Sequence, residues 1–504
     1  MSHIVEEKLK SHDLYQFEIK SIYPFDKHSS FSDFIFESYI FLPHNLGVSA
    51  ETYSQENIYH DMQNYIRLQT PRITLKKFLT NEDNPIVKLE KVCEELIKNS
   101  HKQDQIEKFK QSIKLVAAMF KSTLRDEGEF LKHSHKDDNI EEVIKKQLSD
   151  MTLVRNNFKT LRKYFTGENN LPEDCVALYD FADEYMSLVV ERHCILILKR
   201  ANELNLSTTK SLKNDLNKVL TTEWQYRKEQ NFESLQQDHS KNKKYLYRFS
   251  TLKKIMESVL FIKSETKSEG VLLLGHLVPI LSATGAMLVA TLLMFLVQKN
   301  FERFSIVFLW LIVLIYVLKD RSKDWLSKVI IHKGRRFLYD FKTTLFSNLH
   351  KKIGFMRESV RFINEKQLPN DIATLRNNQN PFHLSSNLVG ENILYTKKEV
   401  VIFSQKTQQY FSEFEVDGIV DILRFNVNSL LYKMDDPYEN IIIANQENDD
   451  VKIAKASRVY HVHLILKYGL KPSNNLLGLR PKEKYRHFLI ELNRAGIQNI
   501  KEEK

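Results

Sequence analysis

Three histidines near the carboxyl end of the chain have the residue type and spacing of metal ligands. His461 and His463 stand as H-x-H in the run RVYHVHLILKYG, and His487 lies in the run YRHFLIEL. Both runs predict β-strands, and residues two apart on a strand share a face, so the first two imidazoles would point the same way. Neutral imidazole is a common zinc ligand. Two interpretations stay open, a metal centre completed by His487 or hydrogen-bonded strand histidines, and the second is favoured because no complete ligand set is visible.

The glycine and cysteine patterns exclude several other kinds of site. None of the 13 glycines is followed by lysine and no two stand as G-x-G, so the chain has neither a P-loop nor a dinucleotide fingerprint. The sequence also lacks G-x-S-x-G and H-E-x-x-H. Its cysteines, Cys93, Cys175 and Cys194, form no C-x-x-C pair, which disfavours a structural zinc site or a disulfide framework. We therefore predict no catalytic residue and no cofactor, and an enzyme is the less favoured class of protein.

The distribution of charge decides between the partners that a basic protein can have. The chain has 74 Lys and Arg residues against 64 Asp and Glu, a formal net charge of +10, which suits nucleic acid or anionic lipid. Its basic residues are spread along predicted helices and concentrated beside the apolar segments described next. They are not interleaved with aromatic residues as in a nucleic-acid-binding stripe. Nucleic acid is therefore not an expected partner.

Two apolar segments predict a transmembrane helical hairpin at residues 271–318. Residues 271–297 run for 27 residues, and residues 304–318 for 15, without Asp, Glu, Lys or Arg. A helix needs about 20 residues to cross a bilayer, and the second segment reaches that length when the snorkelling residues Arg303 and Lys319 are counted. The alternative is a buried hairpin in a soluble core, but such helices normally have a polar stripe. The lipid bilayer is thus the first predicted partner.

The basic residues that flank these segments predict the orientation. The connecting turn has only Lys299 and Arg303, whereas the outer flanks contain Lys253, Lys254, Lys263, Lys267, Lys319, Arg321, Lys323, Lys328, Lys333, Arg335 and Arg336. Positive charges accumulate on the cytoplasmic side of membrane helices. We therefore predict an integral protein of the inner or plasma membrane with both termini in the cytoplasm.

The first apolar segment contains small residues and a histidine. Ser282, Ala286 and Ala290 repeat every four residues with Gly285 beside them, a stripe that lets another helix approach closely. Packing against the second segment is the favoured interpretation, and a seam between copies of the chain is the alternative. His276 is an intramembrane polar residue and so a candidate functional residue, although its place near the interface favours a solvated, structural role.

The remaining sequence predicts a mainly α protein with α+β ends. Strand-like alternation marks an N-terminal α+β domain at 1–90, and three-and-four spacing of apolar residues marks a cytosolic helical bundle at 91–264. A basic membrane-proximal helix is predicted at 319–365, either against anionic lipid headgroups or packed in the cytosol as a stalk. Strand-like runs around an amphipathic helix that begins at Asp417 mark a C-terminal α+β domain at 380–504.

These features predict a membrane-anchored cytosolic scaffold or signalling protein that binds a protein partner or another copy of itself. One alternative is an oligomerising membrane effector or channel-like assembly, in which the small-residue stripe would face other copies. Another is a membrane-tethered, metal-dependent hydrolase that uses His461, His463 and His487. A concave site that unites these histidines with a carboxylate would favour the hydrolase.

Overall fold

The chain divides into two compact units. The computed structural model describes residues 6–503 except 26–28, 81–83, 135–139, 167–170, 205–209, 233–241, 301–304, 335–337, 348–350, 379–389, 406, 408–415, 445–450 and 471–482. The first unit, here the sheet unit, comprises Met1–Ile66, Ile262–Tyr410 and Gly418–Lys504, and the second, the helical unit, comprises Arg67–Phe261 and Phe411–Asp417.

Helices and strands are both well represented in the described residues. The helices are α1 (Gln55–Asp61), α2 (Pro85–Lys98), α3 (Gln103–His133), α4 (Ile140–Thr160), α5 (Glu173–Glu203), α6 (Lys210–Glu229), α7 (Asn242–Glu257), α8 (Gly270–Asn300), α9 (Ile306–Gly334), α10 (Asn370–Asn378) and α11 (Asn428–Leu431). The strands are β1 (Glu6–Ser11), β2 (Gln16–Pro24), β3 (Ser32–Pro43), β4 (Met62–Leu68), β5 (Lys263–Ser268), β6 (Phe341–Phe346), β7 (Lys352–Ile363), β8 (Glu391–Ile402), β9 (Gly418–Asn426), β10 (Tyr438–Ala444), β11 (Val451–Ser457), β12 (Tyr460–Leu470), β13 (Lys484–Asn493) and β14 (Gly496–Glu503). The predicted mixture of α and β structure is confirmed.

An eight-stranded antiparallel sheet brings together strands from both ends of the chain. Its order is β14-β13-β12-β3-β8-β7-β6-β5. The second of the N-terminal strand-like runs forms β3, which pairs with β8 from Ser32 to Pro43 and with β12 from Phe34 to Phe41. Because β3 is hydrogen-bonded on both edges, its backbone polar groups are satisfied within the sheet and its apolar residues are available for packing.

A four-stranded sheet of order β1-β2-β9-β4 packs against one face of the larger sheet. The ring centroid of Tyr23 on β2 lies 5.3 Å from that of Phe34 on β3. The opposite face of the larger sheet is covered by α10, around a core of Tyr39, Phe41, Ile372, Ile393, Tyr395 and Ile465. The large sheet is therefore buried on both faces in its middle, as the apolar content of β3 and β8 requires.

One lysine is buried between the two sheets of the sheet unit. The Nζ of Lys398, on β8, lies 2.7 Å from Asp421 Oδ2 on β9 and 3.0 Å from Glu358 Oε1 on β7, and it donates to Asn64 Oδ1 on β4 at 3.3 Å. Burial disfavours the charged form of the Lys398 side chain. The attraction of the two carboxylates is larger than this effect and raises the pKa of Lys398. Lys398 is therefore a charged tie between four strands of two different sheets.

The helical unit is built from α2 to α7, whose boundaries follow ordinary helix signals. Asn84 caps α2 by accepting a hydrogen bond from Ile86 N, with Pro85 in the first turn. The apolar faces predicted at three-and-four spacing are buried, among them Phe109 and Ile113 on α3. Parallel rings extend this core, with the centroids of Phe165 and Tyr179 4.4 Å apart.

The structure differs from the predicted division into five segments. The predicted domains at 1–90 and 380–504 contribute strands to the same two sheets, because β3 pairs with β8 and β12, and β2 pairs with β9. Pairing at such a distance along the chain has no signature in local sequence. The predicted bundle at 91–264 falls almost wholly within the helical unit.

Two predicted helices are wrong over part of their length. The basic helix at 319–365 ends at Gly334, and β6 and β7 follow it as paired strands. The helix predicted from Asp417 is instead β9, followed by the short α11. In both cases the apolar residues have mixed two- and three-residue spacing, which fits a strand as well as a helix. Pairing with neighbouring strands of a sheet favours the strand.

We predict that Lys398→Ala lowers the free energy of unfolding of the sheet unit by about 3–5 kcal/mol, because it leaves the buried Asp421 and the partly buried Glu358 without their cation. The neighbouring Lys397 is half-buried on the opposite face of β8, so Lys397→Ala is the matched control, with a loss of about 1 kcal/mol or less. Urea unfolding followed by circular dichroism measures both. Equal losses in the two variants would contradict the assigned role of Lys398.

Candidate functional site

The most unusual feature of the sheet unit is a pair of long helices that leave and re-enter the large sheet at one edge. α8 follows β5 directly, and α9 precedes β6. β5 and β6 are antiparallel neighbours, with Lys263 opposite Phe346 and Ser268 opposite Phe341. Residue 269 still belongs to this pairing, since Glu269 N donates to Asp340 O at 3.1 Å. The helical hairpin is thus an insertion at the turn of a β-hairpin.

Hydrogen bonds at Asp340 fix the base of this helical hairpin. Its Oδ2 accepts from Tyr59 Oη on α1 at 2.9 Å and from the backbone nitrogen of Val360 on β7 at 2.9 Å. On the other side of the base, Arg357 Nη2 lies 3.0 Å from Glu269 Oε1. Contacts from α1 and β7 thus hold together the two chain segments from which the helices start.

The helical hairpin exposes a large apolar surface. In the part of the chain that the structure describes, one helix is long and apolar enough to cross a membrane by length and composition, α8 over Leu277–Asn300, and only 17% of its most apolar stretch is buried. The uncharged part of α9 is too short for this, because charged residues begin at Lys319. Residue 304, the first of the predicted second segment, lies outside the described residues. The exposed large side chains on the two helices include Ile280, Leu281, Met287, Leu288, Leu292, Phe295, Ile306, Leu309, Trp310, Leu314, Tyr316 and Val317.

The small-residue stripe of α8 is turned inward. Ser282, Ala286 and Ala290 are buried, and a side chain on Gly285 would meet Leu326 Cδ2 of α9 at 3.0 Å. α8 and α9 therefore approach closely along this stripe. His276 lies in the first two turns of α8, and its side chain is outside the described part of the structure.

The second half of α9 changes from apolar to charged. The ring of Tyr316 lies 3.9 Å from Lys319 Nζ at the point of change. Beyond it Arg321, Lys323 and Lys328 are exposed, together with Trp325. Aromatic residues next to lysine and arginine are typical of the level at which a helix passes from hydrocarbon to headgroups.

The three candidate histidines lie on β12 and β13, and two of them meet. His463 Nδ1 is 3.0 Å from His487 Nε2, a hydrogen-bond distance, and both side chains are buried. His461 lies beside Glu491 in the register of the same strand pair. Among the residues that the structure describes, no group of three or more His, Cys, Asp and Glu side chains could hold a metal ion.

Burial and a nearby cation keep the histidine pair neutral. Burial is the main cause that lowers the pKa of His463 to about 2 and that of His487 to about 4, and the guanidinium of Arg376 lowers both further. Arg376 itself is bound to Glu391 through two hydrogen bonds, of 2.6 and 3.2 Å. One imidazole donates and the other accepts, which satisfies both polar groups inside the sheet unit.

Sequence reasoning missed a set of buried charges in the helical unit. Arg155 on α4 is almost fully buried, with Nη1 2.5 Å from Asp183 Oδ1 on α5 and Nε 3.3 Å from Glu223 Oε2 on α6. Arg162 Nη2 and Tyr226 Oη also contact Asp183, at 2.7 and 2.5 Å. Although burial opposes ionisation, these partners hold the pKa of Asp183 below its usual value. The only local signal is charged residues on the apolar face of predicted helices.

Two further ion pairs extend this set along α5. Arg227 Nη2 on α6 lies 2.5 Å from Glu191 Oε2, and Arg248 Nη2 on α7 lies 2.6 Å from Glu184 Oε2. Each of these carboxylates has a guanidinium partner, so the network joins α4, α5, α6 and α7 by paired charges. Such pairing specifies which helix faces meet and leaves each named acid engaged with a cation.

No protein-family model, no curated protein and no solved structure matches this chain.

We predict that Ala286→Leu loosens the contact between α8 and α9, at a cost of about 1–3 kcal/mol, because the buried position has no room for three more carbon atoms. Met287 is exposed on the same turn of α8, so Met287→Leu is the control and leaves stability unchanged. Thermal unfolding in detergent measures the loss, and light scattering gives the oligomeric state. A wild-type oligomer that becomes a well-folded monomer in Ala286→Leu would contradict packing within one hairpin and place the stripe between copies.

We predict that acid destabilises the sheet unit through the histidine pair. The pKa values of His463 and His487 are lower in the folded than in the unfolded chain. The stability that the neutral pair contributes is therefore complete above the unfolded pKa of about 6.5, and it is lost as the pH falls from there toward about 4 for His487 and about 2 for His463. The loss is about 1.4 kcal/mol per pH unit for each histidine. The double variant His463→Leu, His487→Leu should flatten this slope.

Urea unfolding at pH 7.0 and 5.5 compares the double variant with the wild type. The exposed His101, replaced by Leu, is the control and keeps the wild-type slope. An unchanged slope in the double variant would show that the pair is not the source of the acid sensitivity.

Proposed function

We propose that this protein is a membrane-anchored interaction protein, held in a bilayer by the α8–α9 hairpin and acting on the cytosolic side as a scaffold or signalling component. The observation that carries the proposal is the exposure of α8. Its most apolar stretch is only 17% buried, whereas the core helix of a soluble protein is buried on its apolar side. Apolar surface of this extent is costly in water and stable in hydrocarbon.

The dimensions of the two helices suit a bilayer. α8 has 31 residues and α9 has 29, which at about 1.5 Å per residue gives lengths of about 45 Å, against a hydrocarbon core of about 30 Å. The uncharged part of α9 is shorter than that of α8. Snorkelling of Lys319 and tilting of the pair would bring both within the hydrocarbon layer.

The charge of the flanks supports an orientation with both termini in the cytosol. Lys263 and Lys267 precede α8, and Arg321, Lys323 and Lys328 follow the apolar half of α9, whereas the connecting turn is short. These basic residues of α9 are exposed, and they lie in the part of the predicted 319–365 helix that is helical in the structure. They are therefore the residues that we expect to contact anionic headgroups.

The two alternative functions have less support. A channel-like effector needs a small or polar stripe facing other copies, whereas the stripe of Ser282, Ala286 and Ala290 is buried against α9. A metal-dependent hydrolase needs an accessible ligand set, whereas His463 and His487 are buried and bonded to each other. A scaffold needs neither feature, because it acts by binding partners through its exposed surfaces.

We predict that carbonate at high pH leaves the wild-type protein in membranes and that the triple variant Leu281→Asp, Leu288→Asp, Phe295→Asp is extracted. These three exposed residues are spaced by seven on one face of α8, and each carboxylate is costly in hydrocarbon. The control replaces three exposed apolar residues of the helical unit, Leu153, Leu246 and Tyr247, by Asp and should stay in the membrane fraction.

Reporter fusions at both ends of the chain test the orientation and should both report cytosol. Carbonate extraction of the wild-type protein would overturn the proposed anchor. A reporter signal from the far side of the membrane would overturn the orientation alone.

A further inference from the structure

The β10–β11 hairpin forms a sheet of its own within the part of the chain that the structure describes. Its two strands pair from Tyr438 opposite Ser457 to Ala444 opposite Val451. Hydrogen bonds fasten its base, where Arg458 N donates to Pro437 O at 3.0 Å and Asn493 Nδ2 donates to Ser457 Oγ at 3.2 Å. A two-stranded hairpin is marginally stable in water unless other strands or a packed face support it.

The hairpin exposes isoleucine on both of its faces. Ile442 and Ile453 are opposite each other on one face and are 74% and 73% exposed, and Ile441 and Ile443 are exposed on the other face. Hairpins that face water on one side normally have polar residues there. A ribbon with exposed isoleucine on both faces gains cross-strand apolar contacts on both faces when a further strand with apolar side chains is added beside it.

The two outer edges of the hairpin differ in charge. The sequence of β11, VKIAKAS, contains Lys452 and Lys455, and lysine on an edge strand discourages pairing with further strands. The sequence of β10, YENIIIA, contains no lysine or arginine. Its single charge, Glu439, is already paired with Arg458, with Oε2 2.8 Å from Nη2. The outer edge of β10 is thus the one with no deterrent to pairing.

We infer that β10 pairs with β10 of a second copy of this chain, which joins two hairpins into a four-stranded antiparallel sheet. In a two-fold antiparallel pair centred on Ile441 or Ile442, the isoleucines of the two copies lie side by side. Glu439 is then not opposite Glu439 of the second copy, so the two carboxylates stay apart. Pairing through β11 would instead align lysine-bearing strands.

The chemistry of the hairpin favours a second copy over a lipid surface. The run that joins the two strands, NQENDD at 445–450, contributes three carboxylates, which are repelled by anionic headgroups and costly in hydrocarbon. A two-fold pair uses the same surface twice and satisfies both open edges at once. The edge of a seven-residue strand is a small interface, and the inference rests on the proposed membrane anchor for the local concentration that such an interface needs.

The test uses full-length protein in detergent micelles and the pair of variants Ile442→Lys and Ile453→Lys. These residues are cross-strand neighbours of nearly equal exposure, so both variants remove the same apolar area from the same face. Light scattering over a concentration series gives the dimer dissociation constant. We expect Ile442→Lys to raise it by about tenfold or more and Ile453→Lys by about twofold or less. Equal effects, or a protein that is monomeric throughout, would overturn the inference.

Single cysteines locate the contact independently of the lysine variants. The native cysteines Cys93, Cys175 and Cys194 are buried, so oxidation would report introduced cysteines. Cysteine placed along β10 should form dimer disulfides with a yield that peaks at Ile441 or Ile442, and cysteine at Lys455 of β11 should form few. A peak on β11, or no peak, would overturn the inference.

Vesicle flotation separates this inference from the proposed function. Ile442→Lys should float with vesicles as well as the wild type, because the α8–α9 hairpin is unchanged. If the wild type fails to float yet forms the β10-dependent dimer at high concentration, the proposed anchor fails and the self-association edge stands. If the wild type floats and the two lysine variants dimerise equally, the proposed anchor stands and the self-association edge fails.

Discussion

The sheet unit depends on the pairing of β3 with strands from the far end of the chain. β3 ends at Pro43, its neighbour β8 begins at Glu391, and β12 begins at Tyr460. The chain between β3 and β8 also contributes β5, β6 and β7 to the same sheet, and the rest of it leaves this sheet and returns to it. The helical unit is one such excursion, between β4 and β5, and the α8–α9 hairpin is another, between β5 and β6. The helical unit and the α8–α9 hairpin are thus insertions between strands of the sheet unit.

Buried charge is the second constraint on both units, and each unit meets it differently. In the sheet unit a single cation, Lys398, is shared by Asp421 and Glu358 from different sheets. In the helical unit arginines and carboxylates alternate along α4 to α7, with Arg155 and Asp183 at the centre. Paired buried charges add little net stability over apolar residues, but an unpaired one is strongly destabilising. Each network therefore penalises any arrangement of strands or helices in which its partners do not meet.

The sequence predicted local structure well where one period dominated. The helices of the helical unit and the strands β2 and β3 follow clear three-and-four or alternating patterns, and the strand positions of His461, His463 and His487 were predicted correctly. β9 was not, because Ile419, Val420 and Leu423 fit a helix as well as a strand. His487 was considered only as a third metal ligand beside His461 and His463. Its hydrogen bond with His463 was not predicted, and the burial that keeps the pair neutral depends on the packing of α10 with Arg376. Such long-range packing has no local signature.

The position of β5 and β6 on either side of the helical hairpin has a consequence for the order of events during synthesis. Chains emerge from the ribosome amino end first, so β3 is made long before either of its neighbours, whereas the helical unit has all but a few of its residues before α8 appears. If α8 and α9 enter a bilayer as they emerge, β5 and β6 are brought together at its surface before β8 and β12 exist. The large sheet would then assemble first at the strands next to the membrane. Both edges of β3 would stay unpaired until β8 and β12, in the last third of the chain, have been translated.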